Sequence, residues 1–354
     1  MTVYHNWWKI LGVVLIIYVL FRGILTPLKP GIFEISPARF ESGNEIDIHV
    51  EGYNTFYTKG NLTAYIKHSD QFLIQSSKIN VTSDNSLNAV FNLPKYFPDS
   101  NKLAQFTFIL SSDYDGTTVL PSRIIIHQDS IDYQSGVVSW TLAQKPVFSN
   151  VHKYWFPYRN ILHETIRNTF FHVSLWFTMF WLLFMSVYFS FKYLKSNVKD
   201  YDLKAFALVR TAIFFGVLGC LTGALWAKYT WGTWWTKDIK LNMAAISLLI
   251  YFAYLILRAS IEDEDRKARI SGAYNIFALV AVVPLIFVLP RLTDSLHPGN
   301  GGNPAFGAED MDNALRLVFY PSVIGFICLG CWMASLLYRL DRIQLKFDEK
   351  DNNS

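Results

Sequence analysis

Runs of about 20 residues with almost no charge recur six times in this chain, and no other feature limits its fold so tightly. A helix needs roughly 20 apolar residues to cross the hydrocarbon core of a bilayer. The runs occupy residues 7–28, 169–191, 205–227, 241–257, 270–289 and 317–338. They predict an α-helical integral membrane bundle of six spans. Pro284 and Pro321 fall inside runs, which membrane helices tolerate where neighbours satisfy the freed carbonyls. In the first run Lys9 and Arg22 bracket a short uncharged centre, so both must snorkel outward. No small-x-small cleavage site follows, so residues 1–30 read as an uncleaved anchor. Only 17% of the 354 residues are charged, against about 25% in ordinary globular chains. That deficit excludes a disordered, collagen-like or single-domain soluble protein. The net charge of +4 is too small to imply a nucleic-acid partner.

Residues 31–150 differ in character. Short stretches such as EIDIHVEGY, LNAVFNL and AQFTFILSS alternate polar with apolar residues, and Gly, Asn, Asp and Pro punctuate them. Period-2 alternation with frequent turn signals predicts an inserted all-β domain, a sandwich of about seven strands. The stretch ISPARFESGNEIDIHVEGYN resembles the opening of Ig-like domains. Residues 151–168 read as an aromatic connector, 169–340 as a five-span membrane domain and 341–354 as a tail.

Lys and Arg in short loops set the orientation. Twelve, among them Lys192, Arg266 and Lys346, fall in one set of connections and the tail; five, among them Lys228, Lys237 and Arg291, fall in the other. The first set is expected to be cytoplasmic. Both termini then lie in the cytoplasm and the β domain in the periplasm, the chain being a multi-pass protein of the bacterial inner membrane.

This topology puts three features on the outer face: His172 in FFHVSLWF, the loop WGTWWTKD at residues 231–238, and His297 in TDSLHPGN. Neutral imidazole is a strong iron ligand, and two histidines can hold a haem by both faces. Trp226, Trp231, Trp234 and Trp235 can wall such a plate. Lys237, Lys240 and Arg291 can reach its propionates. Other readings stand beside these: the tryptophans as an interfacial belt, Lys237 and Lys240 as lipid headgroup contacts, Asp238 as a cap on the fourth span. Cys328-Leu-Gly-Cys331 lies mid-span and reads as helix packing. Neither a phosphate-binding loop nor HExxH occurs, so any ATP hydrolysis must come from a partner.

The stretch GALWAKYTWGTWWTKDIKLN resembles the tryptophan-rich signature of CcmC-type haem-handling proteins of cytochrome c maturation. The matching residues are Trp231, Gly232, Thr233, Trp234, Trp235, Asp238 and Leu241. Lys237 stands where the family has Trp, Lys240 where it has Arg, and Asn242 where it has Thr. FFHVSLWF resembles the family's first histidine motif, with Ser174 in place of its proline; SLHPG resembles the second, with Pro298 in place of Gln. The resemblance implies that His172 and His297 are axial ligands of a non-covalent haem b. It implies that Trp226, Trp231, Gly232, Trp234, Trp235, Lys237, Asp238, Lys240 and Arg291 surround it. It also implies a CcmE-like periplasmic haem chaperone as acceptor and CcmA/CcmB-like ABC transporter subunits as partners, besides membrane lipid. Haem delivery rather than catalysis follows. The alternatives are a cytochrome c synthase of the related CcsA or CcmF type, and an adhesion protein in which the β domain is the working part.

Overall fold

The computed structural model describes residues 6–142, 146–149, 151, 153–160, 162–297 and 311–351. His5, His152 and Pro298 lie outside them. The chain forms two compact units, one of Pro27–His163 and one of residues 1–26 with 164–354.

Among its described residues the first unit holds nine strands: β1 (Gly31–Ser36), β2 (Arg39–Glu41), β3 (Glu45–Tyr53), β4 (Leu62–Lys67), β5 (Leu73–Gln75), β6 (Lys78–Ser83), β7 (Ser86–Asn92), β8 (Leu103–Ser112) and β9 (Gly116–His127). They form a four-stranded sheet, β1-β3-β7-β6, and a five-stranded sheet, β2-β9-β8-β4-β5. Alternation decides which face is inside. In β3 Ile46, Ile48 and Val50 are buried between exposed Glu45, Asp47 and Glu51. The antiparallel register sets Ile48 opposite Ala89 and Val50 opposite Leu87, so one apolar face is continuous across strands. Both sheets contribute to a single core, in which Phe91 of β7 meets Phe108 of β8 edge-on at 6.2 Å between centroids. The chain changes sheets between β1 and β2, where the Ser36–Pro37 peptide is cis; β1 pairs antiparallel with β3 and β2 parallel with β9.

Two more strands form than the expected seven, because β2 and β5 are three residues each and too short to show an alternation. A helix, α2 (Tyr133–Trp140), also forms within this unit, started by the Asp132 carboxylate accepting from the Ser135 N–H. Its Trp140 is fully buried, lies 4.9 Å from Phe106 and donates its indole N–H to the Tyr96 carbonyl at 3.1 Å.

The second unit contains α1 (Trp7–Leu25), α3 (Ser174–Ser196), α4 (Lys199–Trp231), α5 (Ile239–Ala259), α6 (Glu264–Phe287) and α7 (Asn313–Asp351). A 3-10 turn, His163–Arg167, and a π-helical turn, Thr169–Val173, lead into α3. Six helices among the described residues are long and apolar enough to cross a membrane, and the chain is a multi-pass membrane protein. Helix α3 packs against α4, α6 and α7, and α1 against α7. The α1–α7 approach is close: a Cβ on Gly12 would stand 2.7 Å from Cys328 Cβ, the small-residue contact expected where lipid supplies no hydrophobic drive. The three cysteines are free.

Several polar side chains inside the bundle pair across helices. Asn275 of α6 donates to Ser186 and Ser190 of α3 at 3.0 and 2.9 Å. Near the start of α4, Asp202 takes both arms of Arg258 from α5 at 2.8 and 2.5 Å. The Phe206 ring lies between the guanidiniums of Arg258 and Arg210, 4.4 and 4.2 Å from its centroid, and Arg210 bonds Asp341 of α7.

Candidate haem site

The site lies at the other end of α4, about 25 Å along the helix from Asp202 at 1.5 Å per residue. His172 sits on the π turn that precedes α3; such turns recur at functional sites because they re-aim one side chain out of helical phase. The turn is held from α7. Ser174 N–H is directed to the Phe171 carbonyl, and the Phe170 carbonyl accepts from Ser322 of α7. His172 Nδ1 lies 2.9 Å from the Gly219 carbonyl and 3.2 Å from Thr222 Oγ1. A carbonyl only accepts, so Nδ1 carries the proton and Nε2 is left with its lone pair. Gly223 makes room for the ring: a Cβ there would stand 2.7 Å from His172 Cε1.

His297 follows α6 and a short 3-10 turn, Leu289–Arg291, and is oriented by Asp238. That residue caps α5, its Oδ1 accepting from Lys240 N–H at 2.9 Å. The same oxygen lies 3.0 Å from His297 Nδ1. Its Oδ2 accepts from Ser295 Oγ and from Leu296 N–H, each at 2.8 Å. The Asp238 side chain is 1% exposed. Burial pushes its carboxyl pKa up, but the bonds from Ser295 and Leu296 and the neighbouring imidazole outweigh it and hold the pKa below the usual range. Burial pushes the His297 pKa down, opposed by Asp238 and reinforced by Lys240. His297 therefore stays neutral, donating from Nδ1 to the carboxylate. Among the described residues neither Nε2 has a hydrogen-bond partner.

Both histidines line one cleft of about 460 Å³, within the usual range for small-molecule sites. Its walls are almost wholly apolar. Trp176, Phe180 and Phe184 descend from His172 at four-residue intervals, beside a parallel row of Val173, Phe177 and Trp181. Phe287 of α6 faces Phe180 at 5.0 Å. Trp235 and Lys240 lie at the end near the histidines, Lys240 being the cation of the lining.

Among the residues singled out from sequence, the cleft gathers His172, His297, Trp235 and Lys240. Trp226 and Trp231 lie behind it, against the His297 ring at 5.6 and 4.9 Å between centroids. Gly232 adopts φ 79° and ends α4, its N–H returning to the Lys228 carbonyl at 3.1 Å. Asp238 lies beneath His297. Trp234, Lys237 and Arg291 are exposed and outside the lining. Sequence reasoning missed Trp176, Phe180, Phe184 and Phe287. The first three carry a legible signal, the i+4 spacing from His172 that stacks side chains on one helix face.

A protein-family model described as heme exporter protein C, CcmC, matches residues 136–352. The chain belongs to the CcmC family. The match takes in every residue of the cleft and leaves out α1 and the nine strands. The heme exporter protein C of Haemophilus influenzae is 26% identical over 152 residues, 42% of this chain and 59% of the relative. That of Paracoccus denitrificans is 28% identical over 177 residues, 49% of this chain and 71% of the relative. A cytochrome c biogenesis protein CcsA of Prochlorococcus marinus is 33% identical over 85 residues, 24% of this chain and 27% of the relative. The chain thus spans little more than half of the first of these CcmC relatives.

Proposed function

We propose that this CcmC-family chain holds a haem b between His172 and His297 and hands it on during cytochrome c maturation. The observation that carries the reading is the pairing of the two imidazoles. Both line one apolar cleft, and each has Nδ1 engaged by an acceptor so that Nε2 is available. An acceptor behind the ring fixes the tautomer of ligating histidines and raises their basicity. The walls suit the porphyrin faces, and Lys240 suits a propionate. Haem is cargo here. Two axial bonds at a cleft mouth give a grip that an acceptor relieves by replacing one ligand.

Delivery to a CcmE-like periplasmic chaperone, with CcmA/CcmB-like ABC subunits supplying ATP hydrolysis, accords with the name heme exporter protein C borne by the relatives. The Lys and Arg distribution supports an inner-membrane placement with cytoplasmic termini and the β unit in the periplasm. We read that unit as Ig-like. Taken in sequence order, its sheets correspond to the ABED and CFG arrangement of such sandwiches, with β2 and β5 as added edge strands.

The test is the absorption spectrum of the purified full chain, oxidised and reduced. His172→Ala and His297→Ala are each expected to lower bound haem and change the low-spin signature. Undiminished haem in both variants refutes the assignment. The CcsA match favours one second reading, a synthase: thioether formation on an apocytochrome by this chain alone would replace delivery with catalysis.

A further inference from the structure

At the end of the bundle away from the cleft, the charges do not balance locally. Asp202 is committed to Arg258 and Asp341 to Arg210. Asp265 faces Lys199 at 3.4 Å and Glu264 faces Lys267 at 2.5 Å. Between the first turns of α4 and the far end of α7 lies a separate cleft of about 510 Å³, lined by Asp200, Leu203, Lys204, Tyr338, Arg342 and Lys346. Its one carboxylate, Asp200, is taken by Lys204 at 2.5 Å and by the Tyr338 hydroxyl. Tyr338, Arg342 and Lys346 follow at four-residue intervals and so share one face of α7. Arg342 and Lys346 make no ion pair or hydrogen bond with a described residue. The cleft therefore presents two cations without a hydrogen-bonded partner among the described residues, beside the Asp200–Lys204 pair.

We infer that this cleft binds the phosphodiester of an anionic phospholipid in the adjoining leaflet. The chemistry required is one negative charge with several acceptor oxygens. A guanidinium forks onto two of them, and an ammonium adds a point charge. The bilayer rather than free phosphate is favoured by where the site lies. The apolar stretch of α7 gives way here to Arg339, Asp341, Arg342 and Lys346, which marks the interface. Leu203 offers an apolar wall at the level of a glycerol backbone and first methylenes. Basic pockets between membrane helices are an established mode of headgroup recognition.

The experiment uses the full chain in nanodiscs of phosphatidylcholine doped with phosphatidylglycerol, followed by native mass spectrometry of retained lipid. Variants are Arg342→Gln with Lys346→Gln, and, as a control, Arg266→Gln at the start of α6, an exposed cation at the same end of the bundle and outside the cleft lining. Each lost cation should lower phosphatidylglycerol retention about fivefold, so the double variant should fall about 25-fold and the control should match wild type. The haem spectrum serves as the fold check, since its ligands lie at the other end. Equal retention in wild type and double variant overturns the inference. So does loss of retention in the control alone. Displacement of the lipid by millimolar inorganic phosphate overturns the lipid assignment and gives the site to a free anion.

Discussion

Replacing Asp238 by Asn keeps its shape and removes its charge, which isolates what the carboxylate does for His297. The native group accepts four hydrogen bonds, two on each oxygen. An amide has a single acceptor oxygen. It can serve Lys240 N–H with His297, or Ser295 with Leu296 N–H, but not both pairs. Ser295 can turn its hydroxyl to accept instead; Leu296 N–H cannot. At least one buried N–H is then left facing an NH2 group, at about 1–3 kcal/mol, and the remaining bonds fall from charge-assisted to neutral strength, a further loss of about 1 kcal/mol. The segment 295–297 should loosen from α5 by about 2–4 kcal/mol. Only part reaches the metal, and outer-shell changes of this kind cost about 10–100-fold in affinity. The assay is haem titration of the purified chain by absorption, in wild type and in a His297→Ala background. Asp238→Asn should weaken binding about 10–100-fold in the first and add nothing in the second, because its effect passes through His297. Wild-type affinity in Asp238→Asn, or an equal loss in both backgrounds, would refute the reasoning.

Gly223→Ala places a methyl 2.7 Å from His172 Cε1 while improving helix propensity by about 1 kcal/mol. It should lower haem occupancy without lowering the melting temperature, read by spectrum and thermal unfolding together. Removing one partner of the buried Asp202–Arg258 pair, as in Arg258→Met, should destabilise the bundle by about 3–5 kcal/mol, whereas Arg258→Met with Asp202→Leu should recover most of it; a melting series in one detergent measures both. The depressed His297 pKa has a signed consequence. Just below pH 6.5 the unfolded chain binds a proton that native His297 refuses. Stability is therefore full above that pH and declines as the pH falls toward the native value. His297→Gln should flatten this part of the melting temperature profile; an unchanged slope would show that another group is responsible.

The membrane helices were legible because length and charge exclusion are one-dimensional properties: each of the six expected runs overlaps one observed helix, although 7–28, 169–191 and 270–289 overrun an end of theirs by two to five residues. Alternation exposed the strands long enough to repeat it, such as β3 and β7. The histidines and the tryptophan loop were visible as residue types, but their division of labour was not. Nothing in WGTWWTKD tells that Trp235 lines the cleft while Trp234, exposed like it, stands outside, or that Gly232 is needed for a left-handed helix end. Asp238 offered two readings, and the structure places it both as a cap and as the anchor of His297, a contact spanning 59 positions. The cleft below His172 comes from α3, α4, α5, α6 and α7 together, so only its α3 stripe could be read in advance.

The wide turn beneath His172 bears on the missing family proline. A proline at position 174 would lack the N–H that normally reaches back four residues, and the Phe170 carbonyl would be stranded. In this chain Ser174 sends its N–H to Phe171 instead, and a hydroxyl from the last helix, that of Ser322, donates to the Phe170 carbonyl. The π turn that carries His172 is thus tied to α7 through Ser322. The histidine inherits its aim from that turn, and Ser322 becomes a residue through which α7 can disturb it.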